Sequence, residues 1–128
     1  MYNFNLSKAA ITILVVALGT TEVAALGINC RGSGNCSTAC IRHALSEINT
    51  GVQYLPDGNN YPNGQHIACT GNCCAYLQNI AGTKTGRQVK TYVQSLLAHG
   101  CDRCGSVPTE DGNNVNTGEL TVNWVPSP

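Results

Sequence analysis

Eight cysteines, none before position 30, constrain this chain more than any other feature. They stand at Cys30, Cys36, Cys40, Cys69, Cys73, Cys74, Cys101 and Cys104. Whether they pair depends on compartment, since disulfides persist in oxidising surroundings and are rare in the cytosol. The residues that precede them answer this. Lys8 gives a positive start, and Ala9 to Gly19 is an apolar run too short to span a bilayer. Val23 and Ala25 stand at −3 and −1 from a cut before Leu26, the pattern of a secretory leader. Residues 1–25 are therefore expected to be removed, leaving 26–128 as one secreted, extracellular domain of 103 of the 128 residues. No other segment is apolar enough to span, so no membrane insertion is expected. An even cysteine count in a small exported chain predicts a disulfide framework. A core this size is modest, so staples matter.

Charge excludes several partners. Of seven Lys/Arg and seven Asp/Glu, Lys8 and Glu22 fall in the leader, so six of each remain and the domain is formally neutral. No nucleic-acid partner is expected from bulk charge.

Periodicity supplies the elements. "LGIN" predicts a short first strand. Ser37 or Thr38 can cap a helix whose apolar face is Ile41, Ala44, Leu45 and Ile48, and which "NTG" (Asn49 to Gly51) ends. "LPDGNNYPNG", Leu55 to Gly64, is turn chemistry throughout. "QHIACTGNCCAYLQNI" predicts two strands around a turn at Thr70–Asn72. "AGTKTG" is another break. Thr85 caps a second helix with the stripe Val89, Tyr92, Val93, Leu96 and Leu97, stopped by Gly100. "PTEDGNNVNTG" is a polar loop. "ELTVNWV" closes as a strand, with Leu120, Val122 and Trp124 alternating against Thr121 and Asn123. The order strand, helix, strands, helix, strand predicts an α+β sandwich, with two helices over one face of a largely antiparallel sheet.

Other chemistries lack parts. "RGSG" has no Gly-Lys-Ser/Thr, so it is a turn and not a phosphate loop. Zinc-like cysteine spacings exist, but export favours disulfides, and His43, His66 and His99 are scattered; no metal and no cofactor are expected. The Cys101-x-x-Cys104 pair follows a helix C-terminus, the wrong end for lowering a thiol pKa. No Gly-x-Ser-x-Gly or His/carboxylate spacing stands out, so no enzyme is expected. Asn35-Cys36-Ser37 is formally a glycosylation acceptor on a half-cystine in a tight turn.

The staples can be partly assigned. Cys30/Cys36 and Cys101/Cys104 cluster at opposite ends of the domain, and tying them closes a loop of about 70 residues, worth roughly 4 kcal/mol of chain entropy. Adjacent Cys73 and Cys74 seldom bridge each other, because a bridge needs more than the 3.8 Å of a trans step. Each should take one of Cys40 and Cys69, one reaching a helix and the other its hairpin neighbourhood. Which takes which stays open.

"LGINCRGSGNC" (Leu26 to Cys36), "AHGCDRCGS" (Ala98 to Ser106) and "GELTVNWV" (Gly118 to Val125) together resemble, in order, segments of the KP-four-like killer toxin family, whose prototype is encoded by a virus of smut fungi. The resemblance implies a cellular, fungal relative with a two-layer α/β sandwich: an antiparallel sheet carrying two antiparallel helices on one face. It implies bridges Cys30–Cys101 and Cys36–Cys104. It implies a secreted, monomeric inhibitor of competing fungi or host cells, acting on a calcium channel or another cell-surface target. The alternative is a host-interaction effector or binding module on the same scaffold.

Departures from the family concentrate at the contact region. The family's lysine, two residues before the cysteine that Cys69 resembles, is matched by Ile67, beside His66. Its partner cysteine near the C-terminus is missing from "NWVPSP". Two more family cysteines have no counterpart near Thr83 and Lys90. A cation-channel blocker offers a basic side chain to an acidic vestibule. The candidate target-contacting residues are thus His66, Ile67, Lys84, Arg87 and Lys90, with Arg31 and Arg103 as further cations. Each of these charges is also explained as ordinary solvated surface.

Overall fold

The computed structural model describes residues 26–128; the leader read at 1–25 lies outside the described residues. In chain order the elements are helices α1 (Gly34–Ala39) and α2 (Ala44–Gln53), strands β1 (Asn60–Pro62), β2 (Ala68–Thr70), β3 (Cys73–Gln78) and β4 (Thr83–Thr85), helix α3 (Gly86–Ala98), strand β5 (Gly105–Pro108), a 3-10 turn (Val115–Thr117) and strand β6 (Glu119–Trp124). The class is the expected α+β, antiparallel and disulfide-stapled.

Strand β6 runs through the middle of the main sheet, whose order is β2-β3-β6-β5, antiparallel at every step. Its alternation directs Leu120 and Val122 to the same face as Ala75 and Leu77 of β3 and Val107 of β5. Helices α2 and α3 cover that face with Leu45, Ile48, Val52, Val89, Val93 and Leu96, all buried. Each such side chain contributes about 1.5–3 kcal/mol when taken from water. The opposite face is polar. Ser106 Oγ donates to Glu119 Oε1 at 3.1 Å and lies 2.8 Å from Thr121 Oγ1.

Helix α3 is as expected. Thr85 Oγ1 accepts from the Gln88 N–H at 3.2 Å, and Gln88 Oε1 accepts from the Thr85 N–H at 2.8 Å, a reciprocal capping box. Its first residue must be small. A Cβ on Gly86 would lie 2.2 Å from the Pro56 carbonyl oxygen, because the 56–59 loop is sewn onto the helix start by Gly86 N–H to Asn59 O at 2.8 Å.

The first helical segment departs from expectation. It is two helices, broken at Cys40–His43, and Ile41 points outward with 54% of its surface exposed. Neither Ser33 nor His43, which precede the two helices, makes a side-chain cap. Instead, residues far along the chain cap α2. The Asp102 carbonyl accepts from Leu45 N–H at 3.0 Å, and its carboxylate accepts from His43 N–H at 3.2 Å. The helix also runs through Gly51 instead of ending there. Val52 continues the Leu45/Ile48 stripe, and its burial outweighs the roughly 1 kcal/mol that glycine costs a helix.

The turn-rich stretches contain strands as well. β1 and β4 form a separate two-stranded ribbon, Asn60↔Thr85 to Pro62↔Thr83, with Tyr61 in the core. Asn63 fastens it to the segment that follows β3: its Nδ2 donates to Ile80 O at 2.8 Å, and its Oδ1 accepts from Ile80 N–H at 3.0 Å. "LGIN" contributes one bridge, Asn29↔Ser106, at the β5 edge, short of a full strand.

Four bridges connect these parts. Cys30–Cys101 and Cys36–Cys104 tie the N-terminal segment and α1 to the turn after α3. Cys40–Cys73 ties the end of α1 to the start of β3, and Cys69–Cys74 links β2 to β3 at directly opposed positions. These two resolve the open pairing, and no described cysteine is free.

Sequence separation ranks their importance: 33 for Cys40–Cys73 against 5 for Cys69–Cys74. Replacing both cysteines of the first by alanine should cost about 4 kcal/mol of stability, and of the second about 2. Guanidinium titration of the two double variants measures the difference, and equal losses would contradict the ranking.

Candidate target-contacting surface

The residues singled out in the sequence do not converge on one site. Ile67 lies between the turn after β1 and strand β2, where its N–H donates to Ala75 O at 2.8 Å. Its side chain is partly buried against the core. It therefore serves packing, and an apolar residue is what that place accommodates. His66 beside it is exposed and tilts over Tyr76, ring centroids 5.9 Å apart. Burial, with Glu119 nearby, pushes the Tyr76 phenol above its ordinary value.

Two of the three cations near α3 are neutralised. Lys84 Nζ is 2.6 Å from Glu110 Oε2, and that hydrogen bond raises the lysine pKa while lowering that of Glu110. Lys90 Nζ donates to Asp57 Oδ1 at 2.8 Å, and holds that carboxyl below its ordinary value of 3.8. Arg87 is exposed and makes no ion pair among the described residues, although its charge also acts on Asp57. Two of this strip's three cations are thus already matched by anions.

The cysteine-histidine groupings have no thiolates to offer a metal. Cys36, Cys40 and Cys104 gather their sulfurs within 4.8 Å, as do His66, Cys69 and Cys74 with their donor atoms. Every sulfur in both sets is spent in a disulfide.

The most constructed exposed region is one that periodicity missed: the loop Cys40–His43 and the turn that holds it. His43 has φ 64° and ψ 18°, a left-handed conformation that costs a non-glycine residue about 1–3 kcal/mol. Asp102 holds it there. One carboxylate oxygen takes the His43 N–H, and the other lies 2.8 Å from His43 Nδ1. The His43 N–H is the leading cause that draws the Asp102 pKa below 3.8. Arg103 completes the turn by donating from Nη1 to Ser37 O at 2.8 Å. Beside this loop opens a groove of about 470 Å³, walled by Gly32, Ser33, Ser37, Asp102 and Arg103 with the Cys30 and Cys36 bridges. Gly32 is confined there, since a Cβ on it would approach Cys104 Cβ to 2.8 Å. The signal available in the sequence was Cys40 itself: a half-cystine inside an apolar stripe has a direction of its own to satisfy.

Comparison with known proteins bears on this scaffold. The Kp4 family model matches residues 13–126. The chain is 36% identical over 122 residues to the KP4 killer toxin of Ustilago maydis P4 virus, covering 91% of this chain and 93% of that relative.

The three lowered carboxyls set a pH dependence. Asp57, Asp102 and Glu110 each have a folded pKa below the unfolded one, so below about pH 4 the unfolded chain binds more protons. Their stabilisation is complete above the ordinary values of 3.8 and 4.5 and is lost as pH falls through the folded values. Glu119, raised by burial, acts in the opposite sense. Thermal midpoints should fall as pH drops below ~4.5, and an Asp57→Asn, Asp102→Asn, Glu110→Gln triple variant should show a flatter slope. Scanning calorimetry across that range tests it.

Proposed function

The chain belongs to the Kp4 killer toxin family, and from that premise we propose that it is a secreted toxin that slows growth of competing fungi or host cells by obstructing calcium entry. The observation that carries this reading is identity of 36% across nearly the whole of both chains. The leader pattern at 1–25 supports export, as does the pairing of all eight cysteines. No helix among the described residues is long and apolar enough to cross a membrane, which suits action from outside on a cell-surface target. The reading involves no enzymatic step.

A specific observation favours a second reading, a secreted effector or binding module without channel activity. Ile67 stands half-buried where the family resemblance expects a lysine, and Lys84 and Lys90 are neutralised. A blocker working through those positions has no free cation there.

Purified 26–128 with its four bridges intact should slow growth of susceptible cells and reduce their calcium uptake, and added calcium should relieve the inhibition. Inhibition indifferent to calcium, with uptake unchanged, would leave the effector reading in its place.

A further inference from the structure

We propose that the chain meets its target through the Ile41–Arg42 tip of the α1–α2 loop, which offers one apolar side chain and one free guanidinium to an acidic, apolar-lined recess on an extracellular protein. The proposal rests on the reading of the chain as a cell-surface-acting toxin and names the contact that reading lacks.

Elimination among the cations leads here. Of the six in 26–128, Lys84 and Lys90 are in ion pairs and Arg103 is engaged with Ser37 O beside Asp102, which leaves Arg31, Arg42 and Arg87. All three are exposed, with no side-chain hydrogen bond or ion pair among the described residues. Arg31 is flanked by Cys30 and Gly32, and Arg87 by Gly86 and Gln88, none of which offers a large apolar surface. Arg42 is flanked by Ile41, one of three large apolar side chains left exposed among the described residues. Arginine is enriched among the residues that dominate binding energies, and an adjoining apolar contact shelters its charge interaction from water.

Rigidity points the same way. The tip spans two residues between fixed posts. On one side Cys40 is bonded to Cys73 at the start of β3. On the other, His43 is held in its left-handed conformation by both carboxylate oxygens of Asp102. Across the tip, Ala44 N–H donates to Ile41 O at 3.2 Å. A contact held this way loses little conformational freedom on binding. The strained backbone of His43, maintained by a carboxylate 59 residues away, keeps the tip from relaxing.

The test reads binding, not calcium, so that its failure is separable from failure of the calcium mechanism. Fluorescently labelled 26–128 is titrated onto susceptible cells, before and after trypsin treatment of the cell surface. Arg42→Ala and Ile41→Ser should each weaken binding about tenfold or more, while Lys90→Gln, which removes the same charge from an ion pair, should stay within about twofold. Trypsin should abolish the Arg42-dependent component, and added salt should weaken it. Mass spectrometry without reductant verifies four bridges in each variant. Wild-type affinity in Arg42→Ala would overturn the proposal. So would Arg42-dependent binding that survives trypsin and is reproduced by phosphatidylserine vesicles, which would assign the tip to lipid.

Discussion

The structure depends on two bridges lying against each other. Cys40 Sγ sits 3.7 Å from Cys104 Sγ, so Cys36–Cys104 and Cys40–Cys73 form one buried knot. Into it run the end of α1, the start of β3 and the approach to β5. A sheet of three- to six-residue strands has little core of its own, and short α1 would not persist alone. The knot holds these ends within reach of one another, and the two longer helices then need only close over the sheet. It also sets the direction of the chain after Cys40, which is why the first helical segment breaks there.

Much of this was legible in the residues. The Val89/Val93/Leu96 stripe and Thr85 located α3, and the alternation along 119–124 located β6, because each obeys a local period whose apolar members share one face. The paired clusters at the two ends of the domain indicated the long-range ties. What escaped has a common cause: its order comes from partners distant in sequence. β1 and β4 are three residues each and lie within turn-forming composition, so their pairing is visible only once the chain has brought them together. The cap of α2 comes from Asp102, 59 residues beyond His43. Ile41 fits the helical period perfectly well, and tertiary geometry overrides it.

The candidate contact surface was less legible than the fold for a physical reason. Counting charges gives a neutral domain, and neutrality conceals how the charges are distributed. Lys84 and Lys90 look available in the sequence and are matched by Glu110 and Asp57 in space. Arg42 looks like one polar residue on the outer side of a helix and stands instead on a rigid tip. Affinity for an acidic surface depends on which cations are uncompensated, a property of pairing in three dimensions.

The Cys69–Cys74 bridge has a consequence for how such proteins can change. It fastens the β2–β3 hairpin to itself across five positions, while the adjoining Cys73 ties the same hairpin into the knot. The turn end of the hairpin is therefore fixed twice, to itself and to the knot. His66 and Ile67 lie just before this doubly held segment, His66 exposed and Ile67 packed against the core. The side chain at 66 can therefore be exchanged without disturbing either bridge or the core, whereas a change at 67 must be repacked.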